Sequence, residues 1–72
     1  MSRKFDLAFE IERWRDVYMP EAMQLFAEEY VDCMSPTKAE IKFLKDYFED
    51  RDEEDHRIVM IIADEMQERG LI

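Results

Sequence analysis

Pro20, Pro36 and Gly70 are the only proline and glycine residues among 72 positions, so the chain has little material for loops or hairpins. A sequence with so few breakers, and with many Glu, Lys, Met and Leu, folds as helices joined by short connections. The apolar spacing agrees. Leu7, Ile11, Trp14 and Tyr18 recur at i, i+4, i+7 and i+11, which lays one stripe along a helix over about residues 5–18. Val17 flanks that stripe. Phe5 and Phe9 lie roughly opposite it, beside Glu12 and Asp16, and require a second contact with another helix or with a partner.

Pro20 removes an amide donor and disfavours helical geometry at Met19. Extending the first stripe past it would reach Glu21, Leu25, Glu28 and Asp32, which are mostly acidic. Met23, Phe26, Ala27, Tyr30, Cys33 and Met34 instead form a stripe of their own. The buried face therefore turns by roughly 120° across Pro20. A second helix over about 20–34 is expected, with Pro20 at its first position; a single kinked helix is the alternative.

Ser35-Pro36 reads as a capping serine followed by proline at the first helical position, opening a third helix that runs to about Glu49. Ala39, Ile41, Phe43, Leu44, Tyr47 and Phe48 form its apolar arc, with Lys38, Lys42 and Lys45 on the other side. Glu40 intrudes on that arc and is assigned to solvent near the positive end of the helix, with a partner contact or a buried hydrogen bond as the alternative. Asp52 reads as the cap of a fourth helix, with Asp55 three residues on in capping-box fashion. That helix runs to about Arg69, where Gly70 supplies a left-handed stop and Leu71 the apolar residue that follows it. Ile58 to Ala63 is apolar almost all round, so this helix is expected to be central. Ile58, Val59, Ile62 and Met66 would point inward, and Met60 or Ile61 toward a second copy.

The expected fold is all-α: one domain, residues 1–72, built as a compact bundle of three to four short helices over about 5–18, 20–34, 36–49 and 53–69, and dimeric. A core this small is marginal, and regular helix packing or oligomerisation usually compensates. Cys33 is the only cysteine, which excludes a disulfide within the chain and fits a reducing compartment. It reads as a small buried hydrophobe rather than a nucleophile. No apolar run approaches membrane-spanning length, and the basic start at Arg3 and Lys4 leads into Asp6 and Glu10 rather than into a hydrophobic leader. A cytoplasmic protein without membrane contact is expected.

Charge then narrows the partners. Nineteen acidic residues oppose ten basic ones, for a net charge of −9. Such a field repels nucleic acid and anionic membranes, so direct nucleic-acid binding is excluded and a partner with a basic surface is favoured. The excess is concentrated: residues 46–55 hold seven carboxylates and one arginine, and Glu21, Glu28, Glu29 and Asp32 lie on a second helix that has no Lys or Arg. Asp52 and Asp55 have a sufficient structural task at a helix start. Glu49, Asp50, Glu53 and Glu54, with the four acids of the second helix, are left as the candidate binding surface.

Catalytic and metal chemistry find little support. The stretch from Asp50 to Asp55 opens like a calcium loop, but Asp55 stands where glycine is required and Ile61 where the bidentate glutamate is required. His56 has no nucleophile to serve, and so small a core has little room for a pocket that separates carboxylate pKa values. No enzyme activity and no cofactor are expected. In overall size, charge and helicity the chain resembles the small acidic inhibitors that many phages encode, among them DNA mimics, anti-restriction proteins and anti-CRISPR proteins. The resemblance implies a viral inhibitor that binds a basic surface of a nucleic-acid-handling protein. Two alternatives stand beside it. One is a helical adaptor or anti-activator that binds through Phe5, Phe9, Met19, Met60 and Ile61. The other is a dimer linked by a divalent ion between Asp52 and His56 of two copies.

Overall fold

Four helices are present in a computed structural model that describes residues 2–72: α1 (Arg3–Arg15), α2 (Met23–Met34), α3 (Lys38–Glu49) and α4 (Glu53–Glu68). A single turn of 3-10 helix, Pro20–Ala22, leads into α2, and the described residues contain no strand. α4 is the central element. It packs against α2, α3 and α1, as its apolar circumference requires. The core joins Leu7 and Ile11 of α1, Phe26 and Tyr30 of α2, Ile41, Leu44 and Phe48 of α3, and Val59, Ile62 and Met66 of α4. The radius of gyration is 11.0 Å. No helix among the described residues is long and apolar enough to cross a membrane.

The break before Pro20 is complete, which removes the single-kinked-helix alternative. α1 ends at Arg15 rather than near Tyr18, and Met19 is extended at φ −75° and ψ 155°, the geometry that a following proline imposes. Pro20 does take the first helical position, but its turn is 3-10 and α2 proper begins at Met23. Although Tyr18 lies outside α1, its ring stacks on Trp14 at 5.9 Å and meets Phe26 edge-on at 5.3 Å. Trp14 and Tyr18 are partly buried against the core.

Two assignments on α2 are corrected. Cys33 is exposed, and Val31 takes its place in the core with Phe26, Ala27 and Tyr30. α2 packs against α4, and Ala27 and Val31, one turn apart, both belong to the shared core. Met23 and Met34 are half-buried against the core rather than within it. The buried Tyr30 hydroxyl donates to the Leu7 carbonyl at 2.9 Å, tying α2 to α1, and burial pushes its phenol well above the usual range.

The start of α3 is corrected by two residues. Ser35 does not cap α3. It closes α2 with a left-handed backbone, φ 44° and ψ 58°, an uncommon conformation for a residue with a Cβ. Thr37 is the cap, and it forms a full capping box with Glu40: Glu40 N–H donates to Thr37 Oγ1 at 3.1 Å and Thr37 N–H to Glu40 Oε1 at 2.8 Å. This also explains an acid within the apolar arc. Hydrogen bonding to the Thr37 backbone, helped by Arg3 at 2.7 Å, holds the Glu40 carboxyl below the usual range. α4 starts and stops as expected. Asp52 Oδ1 accepts from Asp55 N–H at 3.1 Å, and Gly70 at φ 75° permits Leu71 N–H to reach the Met66 carbonyl at 2.9 Å.

Candidate binding face on helices α1 and α3

The acidic block does not form one surface. Its members turn to several sides of the α3–α4 connection. Asp52 and Asp55 face α1, where Arg15 Nη1 lies 2.6 Å from Asp52 Oδ2 and 3.3 Å from Asp55 Oδ1. Asp55 is therefore not the reciprocal half of a capping box but a buried carboxylate paired across the fold. Burial pushes its carboxyl up to about 6, against the opposing pull of Arg15. Asp52 is held below the usual carboxylate range, first by the Asp55 N–H and then by Arg15. Glu54 lines a cleft of about 300 Å³ with Arg15, Tyr18, Pro20, Met23, Arg57, Ile58 and Ile61. Glu49, Asp50 and Glu53 are exposed and make no ion pair among the described residues.

The acids of α2 are largely engaged by other elements. Glu29 accepts from the Tyr18 hydroxyl, a bond that also raises the phenol's pKa. Asp32 pairs with Arg69, which also donates to the Glu28 carbonyl and lies 2.7 Å from Glu65. Arginine is absent from α2 itself, yet the end of α4 supplies one. Among the described residues the Glu21 carboxylate is exposed and unpaired, and that of Glu28 is half-buried and also makes no ion pair, only its backbone carbonyl being engaged.

The expected apolar set also divides. Met19 is exposed in the α1–α2 connection, Met60 is 40% exposed on α4, and Ile61 is half-buried in the wall of the Arg15 cleft. Phe5 and Phe9 lie elsewhere, on the groove between α1 and α3, at 54% and 59% exposure. The Phe5 ring meets Phe43 edge-on at 5.9 Å and Tyr47 at 6.0 Å. Two adjoining depressions share Tyr47. One is lined by Phe5, Asp6, Ala8, Phe9, Glu12 and Tyr47, and the other by Phe43, Asp46, Tyr47, Asp50 and Arg51.

This face joins residues from both expected surfaces: Phe5 and Phe9 from the apolar set, and Asp50 from the acidic one. Glu12 lies beside Phe5 and Phe9 as the helical spacing placed it, whereas Phe43, Tyr47, Asp6 and Asp46 were not expected here. Their signal in the sequence was the second apolar face of α1, which required a contact that α3 provides. Asp6, Glu12 and Asp50 make no ion pair among the described residues, and Asp46 has only Lys42 at 3.8 Å. Two cations of the chain rest over these rings: the Arg51 guanidinium carbon is 4.4 Å from the Tyr47 centroid, and Lys4 Nζ is 5.4 Å from that of Phe43. The face thus presents aromatic area, a rim of carboxylates and ring faces that receive cations.

The metal alternative meets an obstacle in the same geometry. Both Asp52 oxygens are already engaged, one by the α4 cap and one by Arg15, and the described residues contain no group of three side chains suited to a metal ion. Comparison of the chain with protein-family models, with curated proteins and with solved structures finds no match.

Proposed function

We propose that the protein is a small non-enzymatic regulator that binds a basic surface of a partner protein through the α1–α3 face, with a nucleic-acid-handling protein as the favoured partner. The observation that carries this reading is the coincidence, on one face, of exposed Phe5 and Phe9 with the carboxylates Asp6, Glu12, Asp46 and Asp50. Carboxylates guide a basic partner to the face and orient it, while desolvated aromatic area supplies most of the affinity. The acidic and apolar modes of binding, separate as alternatives in the sequence, become two components of one interface. Basic grooves that accept phosphates are the surfaces best matched to spaced carboxylates on rigid helices, and the inhibitor role follows from occupying such a groove.

The test is capture of partners from the native host, at low and high salt, with the parent protein and with two variants. Phe5→Ser/Phe9→Ser and Asp46→Asn/Asp50→Asn should each lose a partner that the parent retains at low salt, and duplex DNA should displace that partner. Retention by both variants would contradict the reading.

Self-association is proposed to run through α4, where exposed Met60 is flanked by exposed Arg57 and Asp64. An antiparallel pair of α4 helices centred near Met60 would bring each Arg57 toward the partner copy's Asp64. Light scattering across a concentration series tests it, with a doubling of mass expected and an unchanged monomer mass contradicting it.

A further inference from the structure

We infer that the depression beside Tyr47 is a guanidinium site, selective for an arginine of the partner over a lysine, and that the chain's own Arg51 occupies it in the free protein. The inference rests on the binding face proposed above and names the group which that face takes.

The lining is Phe43, Asp46, Tyr47, Asp50 and Arg51. Arg51 lies over the Tyr47 ring at 4.4 Å, a stacking distance, and makes no ion pair with Asp46 or Asp50. An aromatic face with carboxylates beside it suits a planar, weakly hydrated cation. Guanidinium stacks on a ring and offers five donors in one plane, whereas ammonium is compact and keeps its water. Arg51 satisfies the ring but pairs with neither carboxylate: among the described residues Asp50 has no ion pair and Asp46 only the exposed Lys42 at 3.8 Å, while the Arg51 backbone is held in the α3–α4 turn, its N–H donating to the Phe48 carbonyl at 3.2 Å. An arginine arriving from outside is free of that restraint. It can stack on Tyr47 and donate to Asp46 or Asp50 together, so it displaces Arg51 with a gain in charge-assisted hydrogen bonds. Tyr47 itself is held by Phe5, Phe43 and an edge contact to buried Phe48 at 5.0 Å, so the platform is ordered before binding.

The experiment compares two labelled peptides of equal length and charge, four Gly-Arg repeats and four Gly-Lys repeats, by fluorescence anisotropy at fixed low salt. The arginine peptide should bind about threefold tighter, the scale of one exposed cation–π contact. Arg51→Gln should widen that ratio, since it vacates the ring and strengthens the field equally for both peptides. Tyr47→Leu should bring the ratio to one. Because Tyr47 is half-buried, the doubly neutral Asp46→Asn/Asp50→Asn variant, whose positions are exposed, serves as a second test. It should weaken the arginine peptide more than Glu28→Gln/Glu29→Gln does. Equal binding of both peptides, with a ratio unmoved by Arg51→Gln, overturns the guanidinium site and leaves the binding face standing. If neither peptide binds the parent protein, both the guanidinium site and the binding face are overturned.

Discussion

Arg15 at the end of α1 donates to Asp55 in the first turn of α4 at 3.3 Å, joining residues 40 positions apart through a carboxylate that is almost fully buried. Asp52 and Glu12 add negative charge around that carboxylate, and burial and their repulsion together outweigh the attraction of Arg15. The pair therefore locates α1 against α4 while disfavouring ionised Asp55.

A pH dependence follows from the sign of that shift. Asp55 titrates near 6 in the folded protein and near 3.8 in the unfolded chain, so the folded state holds the proton more tightly. Its contribution to stability is fully present below pH 4 and is lost as pH rises through 6. Asp52 and Glu40, whose folded values are depressed, contribute in the opposite sense, and their share is lost as pH falls below about 4. Thermal stability should rise as pH is lowered from 7.5 to 5. Asp55→Asn should flatten that rise and be no less stable than the parent at pH 7.5, with the effect bounded at about 3 kcal/mol for a shift of roughly two units. A parent Tm that falls steadily over the same interval would contradict the assignment.

Removing the partner of Asp55 should act in the other direction. Arg15→Gln leaves the buried carboxyl without its cation and should cost about 3 kcal/mol at pH 8. The cost should shrink at pH 5, where Asp55 is protonated. Urea melts at the two pH values measure the difference.

The two candidate caps of α3 make a sharp pair. Thr37→Ala removes one side of the capping box and should destabilise by about 1 kcal/mol. Ser35→Gly relieves a left-handed backbone at φ 44° and should stabilise by up to about 1 kcal/mol. Chemical denaturation of both variants checks the signs, which would be reversed if Ser35 were the cap.

Cys33 offers a simple probe of the α2 register. As an exposed thiol it should react with a maleimide in the folded protein at a rate within a few-fold of the unfolded chain. Val31→Ala, by contrast, should cost on the order of 2 kcal/mol, because Val31 is packed in the core.

The helices could be read from the chain because their signals are local. Leu7 and Ile11 lie one turn apart, Asp52 precedes its helix, and Gly70 ends it. The same locality misled at Ser35-Pro36. A serine before proline matches a helix start, but the stronger Thr37-to-Glu40 box two residues later also matches, and only the tertiary path of α2 decides between them. Cys33 and Val31 differ by two positions on a helix whose buried side depends on where α4 lies. The binding face was legible only in part. Phe5 and Phe9 stood out as a second apolar side of α1, but Tyr47 and Asp50 join them through packing between helices more than 30 residues apart in the chain. Likewise, no local pattern shows that Arg69 reaches Asp32 on α2, or that Arg15 takes Asp52 and Asp55 out of the acidic block.

On the binding mode proposed above, a basic partner engages α1 and α3 rather than the acidic protein at large. Amide chemical-shift mapping with the Gly-Lys repeat peptide tests it most directly, since every carboxylate-bearing helix reports separately. Perturbations should concentrate at Phe5, Asp6, Phe9, Asp46, Tyr47 and Asp50, with little change at Glu21, Glu28, Glu29 and Asp32. Perturbations spread evenly over all acidic positions, or centred on α2, would contradict it.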